Sequence, residues 1–149
     1  MNKLIQQLKE LWMLRKNEIM VATTIREMFE LGMLTWEKTI FDVDGTLMST
    51  GMKLTRLGKW INKMGAAIRV NTIGDNKERL KIAGFNVVEY KHAQYTNGFV
   101  PFASGVGGKE IKEDELLIDD QFIAIGGAYI RYPSKGGVLD IGDKKTSRA

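Results

Sequence analysis

Residues 39–47, with the sequence TIFDVDGTL, decide the fold of this chain. The first five form a short apolar, β-branched run, and Asp44-Gly45-Thr46 forms a polar turn directly after it. Such a run ending in a turn predicts a buried strand. Because residues i and i+2 at a strand end point to the same side, Asp42 and Asp44 are predicted to face one site.

Strand and helix patterns alternate along the chain after this stretch. Helices are predicted at about 53–64 and 76–83, and strands at 66–70, 86–90 and 115–119. A glycine-rich loop to about residue 108 and a short helical piece precede the strand at 115–119, and closing strands are predicted within 122–132 and at 138–141. This order predicts an α/β fold, a three-layer, Rossmann-like arrangement with a parallel sheet covered by helices.

The first 35 residues predict two short helices, with Asn17 as the N-cap of the second and Gly32 as its C-cap. The segment carries many large apolar side chains, including methionines that suit an adaptable packing surface. Such a segment must lie against the rest of the domain, a second copy of the chain or another protein. Core packing and oligomerisation are the two alternatives for residues 1–35.

The composition restricts the chemistry that the chain can carry out. Its 149 residues suffice for one domain with a core. The absence of cysteine excludes disulfides and thiolate zinc sites, and the single histidine, His92, excludes metal sites built on paired histidines. We expect a cytoplasmic location, because the N-terminus lacks the apolar region of a signal peptide and no apolar run has transmembrane length. The side chains that remain available for a catalytic or binding site are carboxylates, lysines and hydroxyls.

Acidic residues follow two of the predicted strands. Asp42 and Asp44 end the first strand, and Asp119 and Asp120 end the strand at 115–119. Parallel sheets bind ligands beyond the carboxyl ends of their strands, so these acids are predicted to form a hard oxygen site suited to Mg²⁺. There, one carboxylate can attack the phosphorus of a bound phosphate, and the other can protonate the leaving oxygen and later activate water.

The sequence FDVDGTL at 41–47 resembles the first motif of the haloacid dehalogenase superfamily, whose members are mostly magnesium-dependent phosphatases. The resemblance implies that Asp42 is the nucleophile that becomes an aspartyl-phosphate. It implies that Asp44 is the general acid and base, and that its backbone carbonyl also binds the metal. Gly45 and Thr46 would bring backbone amides to the phosphate.

Three further motifs of that superfamily have counterparts in the chain. Thr72, which ends the sequence IRVNT, matches the phosphate-binding hydroxyl. Lys109 is the better candidate for the phosphate-binding lysine, and Lys112 is the alternative. Asp119 and Asp120 in the sequence LLIDD match the acid pair that completes the metal site. The resemblance covers roughly residues 38–132.

The resemblance divides the chain into a helical extension, 1–35, and a catalytic domain, 36–149. The insertion points leave no room for a substantial cap domain, so an open or subunit-covered site and a homo-oligomer formed through the helical extension are expected. A basic face with Arg56, Lys59 and Lys63 follows the predicted turn and favours a nucleotide or a nucleic-acid phosphate end as substrate. A phosphosugar and a phosphoprotein are the alternatives. The competing hypothesis is a catalytically silent scaffold that acts as an assembly module through its N-terminal helices.

Overall fold

A computed structural model describes residues 2–49, 51–92, 99–101, 107–132 and 140–142. The helices in these ranges are α1 (Asn2–Glu30), α2 (Arg56–Met64) and α3 (Lys77–Ala83), and a 3₁₀ turn, Trp36–Lys38, precedes the first strand. The strands are β1 (Thr39–Phe41), β2 (Ala67–Thr72), β3 (Asn86–His92), β4 (Phe99–Pro101), β5 (Gly107–Glu110), β6 (Leu116–Asp119), β7 (Ile123–Ile125), β8 (Ala128–Arg131) and β9 (Asp140–Gly142). Residues 138–139 of the predicted last strand lie outside the described ranges.

The main sheet has the strand order β3-β2-β1-β6-β8-β9. Its first five strands are parallel, and β9 pairs antiparallel with β8. The β1 strand lies at the centre, where Phe41 pairs with Val70 of β2 and with Ile118 of β6. The predicted α/β, Rossmann-like class is confirmed, and the carboxyl ends of β1, β2 and β6 meet at one edge of the sheet.

The two faces of the sheet are covered differently. On one face, Phe41 and Ile118 pack with apolar residues of the helices, among them Ile25 of α1, Ile61 of α2 and Leu80 of α3. On the other face, Ile40 and Leu117 pack with Ala124 of β7. That strand belongs to a second sheet of order β4-β5-β7. In the described ranges the third layer is therefore this small sheet, where helices were expected.

The predicted short helix after the glycine-rich loop is wrong, because residues 107–110 form β5. As a strand, the segment gains partners on both sides, β4 antiparallel and β7 parallel. This pairing fixes Lys109, which is fully buried.

The N-terminal segment forms one helix, α1, and not two. Asn17 lies inside it, so the predicted N-cap is wrong. Gly32 does follow its end, with φ of +76°, and the amide of Met33 donates to the carbonyl of Met28. Val21 and Ile25 have no exposed surface and belong to the main core. The second half of α1 therefore packs as part of the domain.

No helix in the described ranges has the length and apolarity that crossing a membrane requires.

A partly buried ion pair holds the start of β6 against β2. Arg69 bonds the carboxylate of Glu115 and, at 3.0 Å, that of Glu89. The amide of Lys112 donates to the other oxygen of Glu115 at 2.7 Å. Burial alone would raise the pKa of Glu115, but this amide and the Arg69 guanidinium outweigh burial and lower it.

Candidate active site

Asp42 stands directly after the central strand β1. Its amide continues the ladder by donating to the carbonyl of Ile118 at 3.0 Å, which fixes the backbone at this point. The residue is only 5% exposed. Its Oδ1 accepts a hydrogen bond from Lys109 Nζ at 2.9 Å, and its Oδ2 receives a long, 3.5 Å contact from Thr46 Oγ1. The carboxylate is therefore held in one orientation at the sheet edge.

Lys109 reaches this carboxylate from β5 beneath the sheet. Its Nζ also donates to Asp119 Oδ2 at 2.7 Å and to the backbone carbonyl of Asn71 at 2.8 Å. The ring of Phe122 lies 5.2 Å from the same nitrogen. An ammonium group has three N–H donors, and these three bonds use all of them. Lys109 thus ties β1, β2 and β6 together at the point where the three strands end.

Asp119 and Asp120 bring two more carboxyl groups to Asp42. Asp119 is fully buried, and its Oδ1 accepts from the amides of Gln121 and Phe122 at 2.9 and 3.0 Å. One oxygen from each of Asp42, Asp119 and Asp120 lies within 4.8 Å of the others. Asp119 and Asp120, at the end of β6, therefore lie beside Asp42 at the end of β1, where the parallel sheet predicted them.

The electrostatics of this cluster are dominated by burial. Burial and the charge of Asp119 raise the pKa of Asp42 well above its ordinary value, against the opposing effect of Lys109. Burial alone would lower the pKa of Lys109, but the charges of Asp119 and Asp42 outweigh burial and raise it. Lys109 is therefore charged at neutral pH, and the cluster has more acids than its single buried cation can balance.

The cluster suits a hard divalent cation. Asp42, Asp119 and Asp120 offer carboxylate oxygens, the ligands that Mg²⁺ prefers. Three carboxylate oxygens within 4.8 Å of one another repel unless protons or cations neutralise their charge. The residues present are therefore ones that could hold such a cation.

Asp44 has different neighbours. Its carboxylate, 59% exposed, lies 2.6 Å from Arg79 Nη1 and accepts from Asn76 Nδ2 at 2.9 Å. It is not part of the three-carboxylate group. Asn76 Nδ2 also donates to Thr72 Oγ1 at 2.9 Å, so this amide connects Asp44 with the buried hydroxyl that ends β2. The site has an inner part around Lys109 and an outer part around Asn76.

The turn after Asp42 depends on glycine. Gly45 has φ of +82°, and a Cβ there would lie 2.1 Å from Asp120 Oδ2. Thr46 is buried, and its carbonyl accepts from Thr55 Oγ1 at 2.6 Å. The close approach of the turn to Asp120 therefore requires the residue type that the motif supplies.

The structure brings most of the predicted site residues together. The residues brought together at this edge of the sheet are, in chain order, Asp42, Asp44, Gly45, Thr46, Thr72, Lys109, Asp119 and Asp120. Lys112, the alternative to Lys109, is exposed and does not reach the acids in the described ranges. Sequence reasoning missed Asn76 and Arg79. Their place in the sequence could have indicated a role, because the loop after β2 and the start of α3 lie at the edge of the sheet where ligands bind.

A search against protein-family models, curated proteins and solved structures found no match for the chain. The chemistry of the site is therefore assigned from its residues.

Proposed function

We propose that the chain is a magnesium-dependent phosphomonoester hydrolase of the haloacid dehalogenase type. The observation that carries the proposal is the fixed carboxylate of Asp42, buried at a strand end, held by Lys109 and grouped with Asp119 and Asp120. A carboxylate that served only to cap the turn would need neither a buried lysine nor two further acids. An oriented carboxylate beside a cation-binding oxygen cluster suits attack on a phosphate.

In the first step, an oxygen of Asp42 attacks the phosphorus of the substrate. The bond between phosphorus and the leaving oxygen breaks, and that oxygen takes a proton from the carboxyl group of Asp44. Lys109 holds Oδ1 of Asp42 at 2.9 Å, so the carboxylate meets the phosphate already oriented. The products are an aspartyl-phosphate and an alcohol.

In the second step, water attacks the phosphorus and gives its proton to the carboxylate of Asp44. The bond between phosphorus and Asp42 breaks, which releases inorganic phosphate and restores both side chains. Asp44 must face the outer side of the phosphate in both steps. Its bonds to Arg79 and Asn76 fix the carboxylate in the outer part of the site, which supports this role.

The charge of the phosphate needs several partners. The hydroxyl of Thr72 is the donor on the protein side. The amides of Gly45 and Thr46 are engaged within the turn, where they donate to the carbonyls of Met48 at 2.7 Å and Val43 at 3.1 Å. Asp42, Asp119 and Asp120, with the backbone carbonyl of Asp44, would hold Mg²⁺, which when bound neutralises phosphate charge. The three donors of Lys109 are already engaged, so we assign it mainly to positioning Asp42 and to balancing the acids.

The experiment is hydrolysis of an aryl phosphate by the full chain with and without magnesium. Asp42→Asn should abolish turnover, and Asp44→Asn should lower kcat by about 10²–10⁴-fold because it removes the acid and base. Asp114→Asn is the matched control, because Asp114 is an exposed acid paired with Lys38. A folded chain that is inactive with every divalent metal, or an Asp42→Asn variant with wild-type activity, would overturn the proposal.

A second candidate, assembly through α1, is favoured by the exposed apolar residues of that helix. Ile5 and Leu8 are 47% and 57% exposed, while Val21 and Ile25 are buried. Removing the whole helix would strip the core, so the test uses point changes. Ile5→Glu with Leu8→Glu should lower the mass measured by light scattering, whereas Leu31→Glu, beyond the helix, should not. An unchanged mass in the double variant excludes α1 as the interface.

A further inference from the structure

A cleft of about 800 Å³ lies between α1 and α2, and Asp42, Asp119 and Asp120 are not part of its lining. Five cationic residues line it, namely Arg26, Lys53, Arg56, Lys59 and Lys63. The lining has one acid, Glu18. The cleft is therefore strongly cationic, although the whole chain has a formal charge of only +4.

Most of this positive charge has no acidic partner. Arg26 is paired with Glu30 at 2.7 Å, but the other four cations form no ion pair with the described part of the chain. The carboxylate of Glu18 is held in place at the cleft, since its Oε1 accepts from the amide of Arg56 and from the hydroxyl of Tyr132, both at 2.9 Å. Four cations of the cleft are available to an anionic ligand.

The spacing of these cations suits an extended polyanion. Arg56, Lys59 and Lys63 lie three and four residues apart on α2, which places them on one face in a row about 10 Å long. Half-buried Trp60 also lines the cleft, where its ring lies 5.9 Å from the guanidinium of Arg26 and 5.6 Å from the ring of Trp36. Cations along a groove with an aromatic ring are typical of sites for single-stranded nucleic acid. A flat lipid surface would not reach into a concave cleft.

The cleft adjoins the proposed active site through two short connections. Thr55 lines the cleft and donates to the carbonyl of Thr46, in the turn after Asp42. Ser49 also lines it, and its carbonyl accepts from Arg79 Nη2 at 3.1 Å. The same guanidinium is bonded to Asp44. The cleft therefore lies beside the turn that follows Asp42 and beside the residues that bond Asp44.

We infer that this cleft binds the backbone of a single-stranded oligonucleotide whose terminal phosphomonoester is the substrate. The inference rests on the proposed function for the fate of the terminal phosphate, but binding in the cleft can be measured without turnover. The four free cations supply the affinity, and the active site supplies the selection for a phosphorylated end.

The test is fluorescence anisotropy of the full chain with a labelled single-stranded oligonucleotide that has hydroxyl ends. Four phosphate contacts on a single strand predict that affinity falls about 50-fold between about 50 and 200 mM salt. Lys59→Gln with Lys63→Gln should reduce this loss to about 7-fold and weaken binding at low salt. Lys77→Gln with Lys81→Gln is the matched control, because these exposed lysines have the same spacing on α3, and it should bind like the wild type.

Several results would overturn the inference. Equal weakening by the two double variants would show that only overall charge matters. Oligonucleotide binding that is unchanged in the Lys59→Gln, Lys63→Gln variant would show that the cleft is not the binding site. Lysine-dependent binding to phosphatidylserine vesicles without oligonucleotide binding would show that the ligand of the cleft is a lipid headgroup. Hydrolysis of the aryl phosphate by the wild type is measured in a separate assay, which tests the proposed function alone. Hydrolysis without lysine-dependent oligonucleotide binding refutes this inference alone, and absence of hydrolysis with any metal refutes the proposed function.

Discussion

Replacing Lys109 by methionine removes the cation at the centre of the acid cluster and keeps a similar side-chain length. The lysine is fully buried and bonds Asp42 and Asp119, which are themselves 5% and 0% exposed. Removing one partner of a buried ion pair costs about 3–5 kcal/mol, because the other charge stays buried without compensation. For a chain of this size the melting temperature should fall by about 6–20 °C.

The assay is thermal unfolding of wild type, Lys109→Met and Lys112→Met, each with and without magnesium. Lys112 is exposed, so its variant should stay within about 0.5 kcal/mol of the wild type. Magnesium should stabilise Lys109→Met more than the wild type, because a bound cation replaces the missing charge. Two results would refute the reasoning. One is equal melting of the two lysine variants, and the other is a Lys109→Met variant that gains no more from magnesium than the wild type.

Three further substitutions test other contacts. Gly58→Ala would place a Cβ 2.0 Å from the carbonyl oxygen of Leu47, so α2 must shift. Stability should fall by about 1–3 kcal/mol, and an unchanged melting temperature would contradict this. Glu115→Gln removes a carboxylate whose pKa is lowered from 4.5, so its stabilisation is complete above that pH and is lost as the pH falls through the lower folded value. The difference in melting temperature between wild type and this variant should therefore shrink from about pH 7 to about pH 3, and a constant difference would argue against the ion pair. Arg79→Met releases the carboxylate of Asp44 and should lower kcat for the aryl phosphate by about 10–100-fold with little change in KM, whereas an unchanged kcat would remove Arg79 from the positioning of Asp44.

The central part of the fold could be predicted because its signals are local. The run at 39–43 is apolar and β-branched, and it ends in a turn that needs glycine, so strand β1 and the position of Asp42 followed directly. The alternation of strands and helices to residue 92 then predicted a parallel sheet. Parallel pairing brings strand ends to one edge, and for that reason Asp119 and Asp120 could be assigned to the same site as Asp42.

The errors arose where distant contacts override local preference. Residues 107–110 are a strand because β4 and β7 pair with them, and β7 follows only after β6 in the sequence. Asn17 has the side chain of an N-cap, yet α1 continues through it, and the following turns bury Val21 and Ile25. The partners of Asp44 were missed for the same reason, because Asn76 and Arg79 lie more than 30 residues away.

The most direct measurement is the mass of the chain after incubation with an aryl phosphate and magnesium, followed by an acid quench. If Asp42 is the nucleophile, the Asp44→Asn variant should accumulate a chain heavier by one phosphoryl group, because its second step lacks a base. Fragmentation should place that group on Asp42, and Asp42→Asn should remain unmodified. Turnover of the aryl phosphate without a phosphoryl group on the chain, or with the group on another residue, would contradict the mechanism.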